Sequence, residues 1–111
     1  MILYHVTRKK FLSRILKYGI KPGTSPVHGE IKRYIYLTDK KGIDTVVAYW
    51  IYCDEDPVIL KVNIPVDWLV DTKGRVERYA NPYIARHARE WLSFEKIPPE
   101  NIMKIYEYRC E

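Results

Sequence analysis

Glutamine is absent from this chain of 111 residues, although Lys, Glu, Ile and Tyr are abundant. A composition short of thermolabile amides leans toward a thermophilic source. Cysteine is scarce: Cys53 and Cys110 lie far apart, with no CxxC spacing and no nearby His. That excludes the usual zinc-ligand patterns and leaves two free thiols. No apolar run approaches the ~20 residues of a membrane span. The most apolar stretch, Val46 to Cys53, ends in Asp54-Glu55-Asp56. At the N-terminus Ile2-Leu3 is followed at once by Tyr4, His5 and Arg8-Lys9-Lys10, which is not the pattern of a signal peptide. A cytoplasmic location is expected. Gly-rich phosphate loops, HExxH, GxSxG, internal repeats and low-complexity linkers are missing too, which removes the common nucleotide, zincin and hydrolase signatures.

What is present is core material. Hydrophobic residues make up 47% and charged residues 30% of the chain, too apolar for disorder. The length allows one core, so residues 1–111 are read as a single domain. The net charge of +5 favours an anionic partner. The basic residues are spread from Arg8 to Arg109, however, and a solvated surface accounts for them equally well.

Ile2 to Val6 is a strand-type run, closed by Thr7, whose hydroxyl is suited to cap the next helix. From Arg8 to Tyr18, Phe11, Leu12, Ile15 and Leu16 fall on one helical face, and Gly19 stops the helix. Pro22-Gly23, Ser25-Pro26 and Gly29 make a long loop of Ile20 to Lys32. Tyr34 to Thr38 reads as a strand, Asp39 to Gly42 as a turn. Val46, Val47, Trp50 and Ile51 give a second, largely buried helix over Ile43 to Tyr52. Val58 to Ile64 is a strand, Pro65 to Leu69 a helical turn, and Val70 to Lys73 another short strand. Arg75 to Ala85 stays ambiguous. Glu90 to Phe94 reads as strand, Pro98-Pro99-Glu100 as turn, and Ile102 to Tyr108 as a closing strand with Met103, Ile105 and Glu107 on one face. The order is not a βαβ alternation. It predicts an α+β fold: a small mixed, mostly antiparallel sheet with two early helices.

Three segments stand out: Tyr4-His5-Val6-Thr7, then Tyr34-Ile35-Tyr36-Leu37-Thr38 with Ala48-Tyr49 on the helix behind it, then Glu90-Trp91-Leu92-Ser93 leading into Ile97-Pro98-Pro99-Glu100-Asn101-Ile102. In order and spacing they resemble the ADP-ribosyltransferase superfamily, whose H-Y-E triad takes a His from the first strand, a Tyr from a middle strand and a Glu from a late one. YHVT is similar to the family's first strand. Tyr36 resembles the strand tyrosine of the poly-ADP-ribose polymerases and Tyr49 their second tyrosine, and Glu90 resembles the late glutamate of DNA-modifying toxins of the DarT type. Trp91-Leu92-Ser93 and Pro98-Pro99-Glu100 are also similar to RNA 2′-phosphotransferases. That family has His and an apolar residue in place of Tyr36 and Glu90, and carries a further N-terminal half.

The resemblance implies NAD as the cofactor, consumed as a substrate, and an acceptor that is nucleic acid (DNA or RNA) or protein. Glu90 would be the catalytic carboxylate, because cleaving the nicotinamide–ribose bond develops positive charge on the ribose. His5, with Thr7 beside it, would hold NAD through its ribose hydroxyls. Tyr36 and Tyr49 would sandwich the nicotinamide ring. His5, Tyr36 and Glu90 are then expected to line one cleft. Plainer readings stand beside these: His5 as a structural histidine, the tyrosines as packing, Glu90 as a surface partner of Arg86 or Arg89, and Thr38 as a strand end. His28 and His87 read as solvated. A non-catalytic rival keeps the fold and grips nucleic-acid phosphates through Lys32-Arg33 and Arg75-Arg78.

Overall fold

The computed structural model describes residues 1–22, 35–52, 56–70 and 90–107. Lys32-Arg33, Arg75-Arg78, His28, His87, Cys53 and Cys110, for which the sequence raised expectations, lie outside these residues. Six strands form one sheet: β1 (Ile2–Arg8), β2 (Ile35–Thr38), β3 (Pro57–Asn63), β4 (Leu69–Val70), β5 (Glu90–Ser93) and β6 (Ile102–Glu107). Their spatial order is β4-β5-β2-β1-β3-β6. Every described pairing is antiparallel. The α+β class therefore stands, with no parallel pair among the described strands.

Alternation along the strands makes the core. Leu3 on β1, Ile35 and Leu37 on β2, and Leu60 and Val62 on β3 are buried together with Ile15, Ile20, Ile64 and Ile97. Each such side chain contributes roughly 1.5–3 kcal/mol through apolar area removed from water. Thr7 does not cap a helix. It lies inside β1, opposite Val58, because pairing with β3 extends the strand to Arg8. A 3-10 turn, Lys9–Phe11, follows without a side-chain cap, and its first N–H is taken by the Asp56 carbonyl at 2.8 Å.

Helix α1 (Leu12–Tyr18) ends where Gly19 adopts φ +85°. Glycine is required there, since a Cβ would run into the Ile97 carbonyl oxygen. The close approach lets Ile20 and Ile97 exchange backbone hydrogen bonds of 2.8 and 2.9 Å, which fasten the end of α1 to the segment before β6. This docking also corrects the expected apolar face. Ile15 is buried and Leu12 half-buried, whereas Phe11 is 37% and Leu16 46% exposed. A seven-residue helix touching the core along one narrow stripe has room for only two inward positions.

Helix α2 (Ile43–Tyr52) has the expected bounds. The Asp39 carboxylate accepts from the Gly42 N–H at 2.9 Å and so shapes the 3-10 turn that leads into it. Its main strand neighbours are β1 and β3 rather than β2. Val47 is buried and Val46 half-buried, whereas Ala48 and Ile51 are exposed. On β6 the half-buried positions are Ile102 and Ile105, while Met103 is 54% exposed. A register shift at Lys61/Val62 breaks the simple alternation that put Met103 and Ile105 on one face.

Candidate functional site

The centre of the sheet is where its pairing is thinnest. β1 pairs with β3 at every position from Ile2–Asn63 to Arg8–Pro57. With β2 it pairs only at Tyr4–Thr38. Continuing that register would set His5 opposite Leu37 and Val6 opposite Tyr36, and among the described residues those pairs are absent. Among the described residues the two halves of the sheet, β4-β5-β2 and β1-β3-β6, are thus joined through β1 and β2 at that one rung.

His5 follows Tyr4, the residue of that rung, on β1. Its Nδ1 lies 2.8 Å from the backbone carbonyl oxygen of Tyr36. A carbonyl can only accept, so Nδ1 carries the proton and donates it. The residue keeps some surface, yet desolvation of the ring is the larger influence on it and pushes its pKa below the ordinary 6.5. The Tyr36 carbonyl opposes this. The ring is therefore held neutral near pH 7, in the tautomer whose Nε2 offers a lone pair. It can accept a hydrogen bond from a hydroxyl or amide.

Thr38, on the last rung, supplies a second unusual group. The residue is 3% exposed. Among the described residues its Oγ1 has no hydrogen-bond partner. Ser93, opposite Ile35 at the other end of β2, is also buried but donates its hydroxyl to the Glu95 carbonyl at 2.9 Å. A buried hydroxyl left unpaired costs about 1–3 kcal/mol, and the fold retains that cost at Thr38.

The structure brings His5 and Tyr36 together through the imidazole and the main chain. Glu90 begins β5 directly opposite Thr38, so Tyr4, Thr38 and Glu90 form one row across three strands. His5 is one residue along β1 from that row, which sets it on the other face where the strands pair. Its Nδ1 nevertheless reaches β2 at the Tyr36 carbonyl. Tyr49 belongs to α2, whose main strand neighbours are β1 and β3. Thr7 stands two residues beyond His5 along β1. Thr38 does end β2; the state of its hydroxyl is not legible in the sequence, since nothing local separates a paired threonine from an unpaired one.

Among the described residues no cluster of His, Cys, Asp and Glu is arranged to hold a metal, and no helix is long and apolar enough to cross a membrane. No family model, no curated protein and no solved structure matches the chain.

Proposed function

We propose that the protein is an NAD-consuming ADP-ribosyltransferase acting on a nucleic-acid or protein acceptor. The observations that support this reading are a neutral His5 presenting Nε2 and, one position along the sheet from it, the Thr38 hydroxyl, which has no partner among the described residues. Both are groups suited to hold the hydroxyls and amide of a dinucleotide.

In this mechanism the glycosidic C–N bond between ribose and nicotinamide breaks heterolytically. Nicotinamide leaves as a neutral molecule with the bonding pair, and the ribose carbon is left as an oxocarbenium-like centre. Glu90 supports that charge and takes the proton of the acceptor as its nucleophilic atom bonds to the ribose carbon. His5, with Thr7 beside it, orients the ribose by accepting from a hydroxyl, while Tyr36 and Tyr49 flank the departing ring and keep water out.

Glu90→Gln tests the reading, because it keeps shape and removes charge. A charge that counts more in the transition state than in the bound ground state predicts nicotinamide release about 100-fold slower, with NAD affinity nearly unchanged. Equal release from wild type and variant at saturating NAD sinks the catalytic role. No release from wild type with any acceptor favours a non-catalytic nucleic-acid-binding module, the reading that the basic charge balance supports.

A further inference from the structure

The inner side of α1 is committed to the core through Leu12 and Ile15. Its outer side, with the turn before it, exposes Lys9, Lys10, Phe11, Arg14, Lys17 and Tyr18. The first acidic residue of the chain is Glu30; ahead of it stand six cations, Arg8, Lys9, Lys10, Arg14, Lys17 and Lys21. This segment thus carries +6 against +5 for the whole chain. The charge that looks evenly spread by count is concentrated in the fold.

Aromatic rings are set among these cations. The Lys10 ammonium lies 5.4 Å and the Arg8 guanidinium 5.9 Å from the Phe11 ring centroid. The Lys17 ammonium lies 5.2 Å from the centroid of Tyr18, which is 50% exposed. Seven residues apart, the two rings fall on nearly the same side of a helix, separated by about 10 Å along its axis. Arg14 stands between them. Among the described residues Lys9 pairs with Glu107 at 3.9 Å, an ion pair exposed on both sides and too weak to tie the surface up.

We propose that the surface of Lys10, Phe11, Arg14, Lys17 and Tyr18 binds single-stranded nucleic acid. Each ring offers a face for a base and brings a cation for the adjoining phosphate, the combination that holds single strands without reading their sequence. Duplex bases are stacked inside the helix and cannot reach the rings. An anionic membrane fits less well, because the apolar side that an interfacial helix would insert is already buried here as Leu12 and Ile15, leaving Leu16 as the one exposed aliphatic side chain of α1. The inference rests on the transferase reading only in making this strand the acceptor.

Binding is measured without NAD, by fluorescence anisotropy of labelled single-stranded thymidine and uridine oligonucleotides over a range of salt. Three variants at exposed positions are compared with wild type: Arg14→Ala/Lys17→Ala, Phe11→Ala and Tyr18→Ala. Melting temperatures confirm that each is folded. The double variant is expected to lower the slope of log affinity against log salt by about 1.4, at roughly 0.7 per phosphate contact on a single strand. Tyr18→Ala is expected to weaken binding about fivefold or more, the loss of one stacked base. Binding unchanged in folded variants, no binding at low salt, equal affinity for duplex, or tighter binding to phosphatidylserine vesicles overturns the proposal. Nicotinamide release is assayed on the same proteins. Release without oligonucleotide binding removes this surface and leaves the transferase reading, and oligonucleotide binding without release from any acceptor does the reverse.

Discussion

Replacing Thr38 by Val tests whether the unpaired hydroxyl belongs to a ligand. The two side chains have nearly the same shape, so no cavity opens beneath a residue that is 3% exposed. What changes is the removal of a buried hydroxyl that has no hydrogen-bond partner among the described residues. If half or more of the usual penalty is recovered, the variant gains about 1–2 kcal/mol. For a chain of this size that is a rise in melting temperature of about 4–8 °C. Scanning calorimetry without ligand checks it. The same hydroxyl should find its partner when NAD binds, so the variant is expected to bind NAD about 5-fold or more weakly. Isothermal titration on the Glu90→Gln background, where NAD survives the experiment, supplies that second number. A lower melting temperature would show that the hydroxyl is already satisfied in the free chain and would refute the premise. A higher melting temperature with unchanged NAD affinity would separate Thr38 from the ligand.

Because burial lowers the pKa of folded His5 below 6.5, the unfolded chain binds its proton first on acidification. The stability held by the neutral ring is therefore present above pH 6.5 and lost as pH falls through the folded value, at no more than about 1.4 kcal/mol per pH unit. His5→Asn keeps a donor for the Tyr36 carbonyl without titrating; chemical denaturation of both proteins between pH 5 and 8 should show the extra slope in wild type alone, and parallel curves would reject it. Gly19→Ala should be strongly destabilising, by about 3 kcal/mol or more, because it adds strain at φ +85° to a clash with the Ile97 carbonyl. A urea midpoint like that of wild type would mean that the end of α1 can move away from Ile97.

Much of the fold was legible because its signals are local. The β-rich runs of Ile2 to Val6 and Val58 to Ile64 mark strands within two residues of where they lie. Apolar spacing over Ile43 to Tyr52 marks α2 at its observed bounds, and Gly19 marks the end of α1. These depend on residues a few positions apart, and periodicity carries that information. The order of His5, Tyr36 and Glu90 along the chain was legible in the same way.

Tertiary structure decided what distant residues do to one another. The inward positions of α1 were settled by its docking against the segment at Ile97, so Phe11 became surface. The bulge at Lys61/Val62 turned Met103 outward. The packing of β1 against β2 decided that His5 bonds a carbonyl 31 residues away and that the Thr38 hydroxyl is buried without a partner among the described residues. The physical reason is common to all three. A side chain's period comes from its own backbone, while its burial and hydrogen bonding come from whichever segments fold against it, and the sequence near it does not name them.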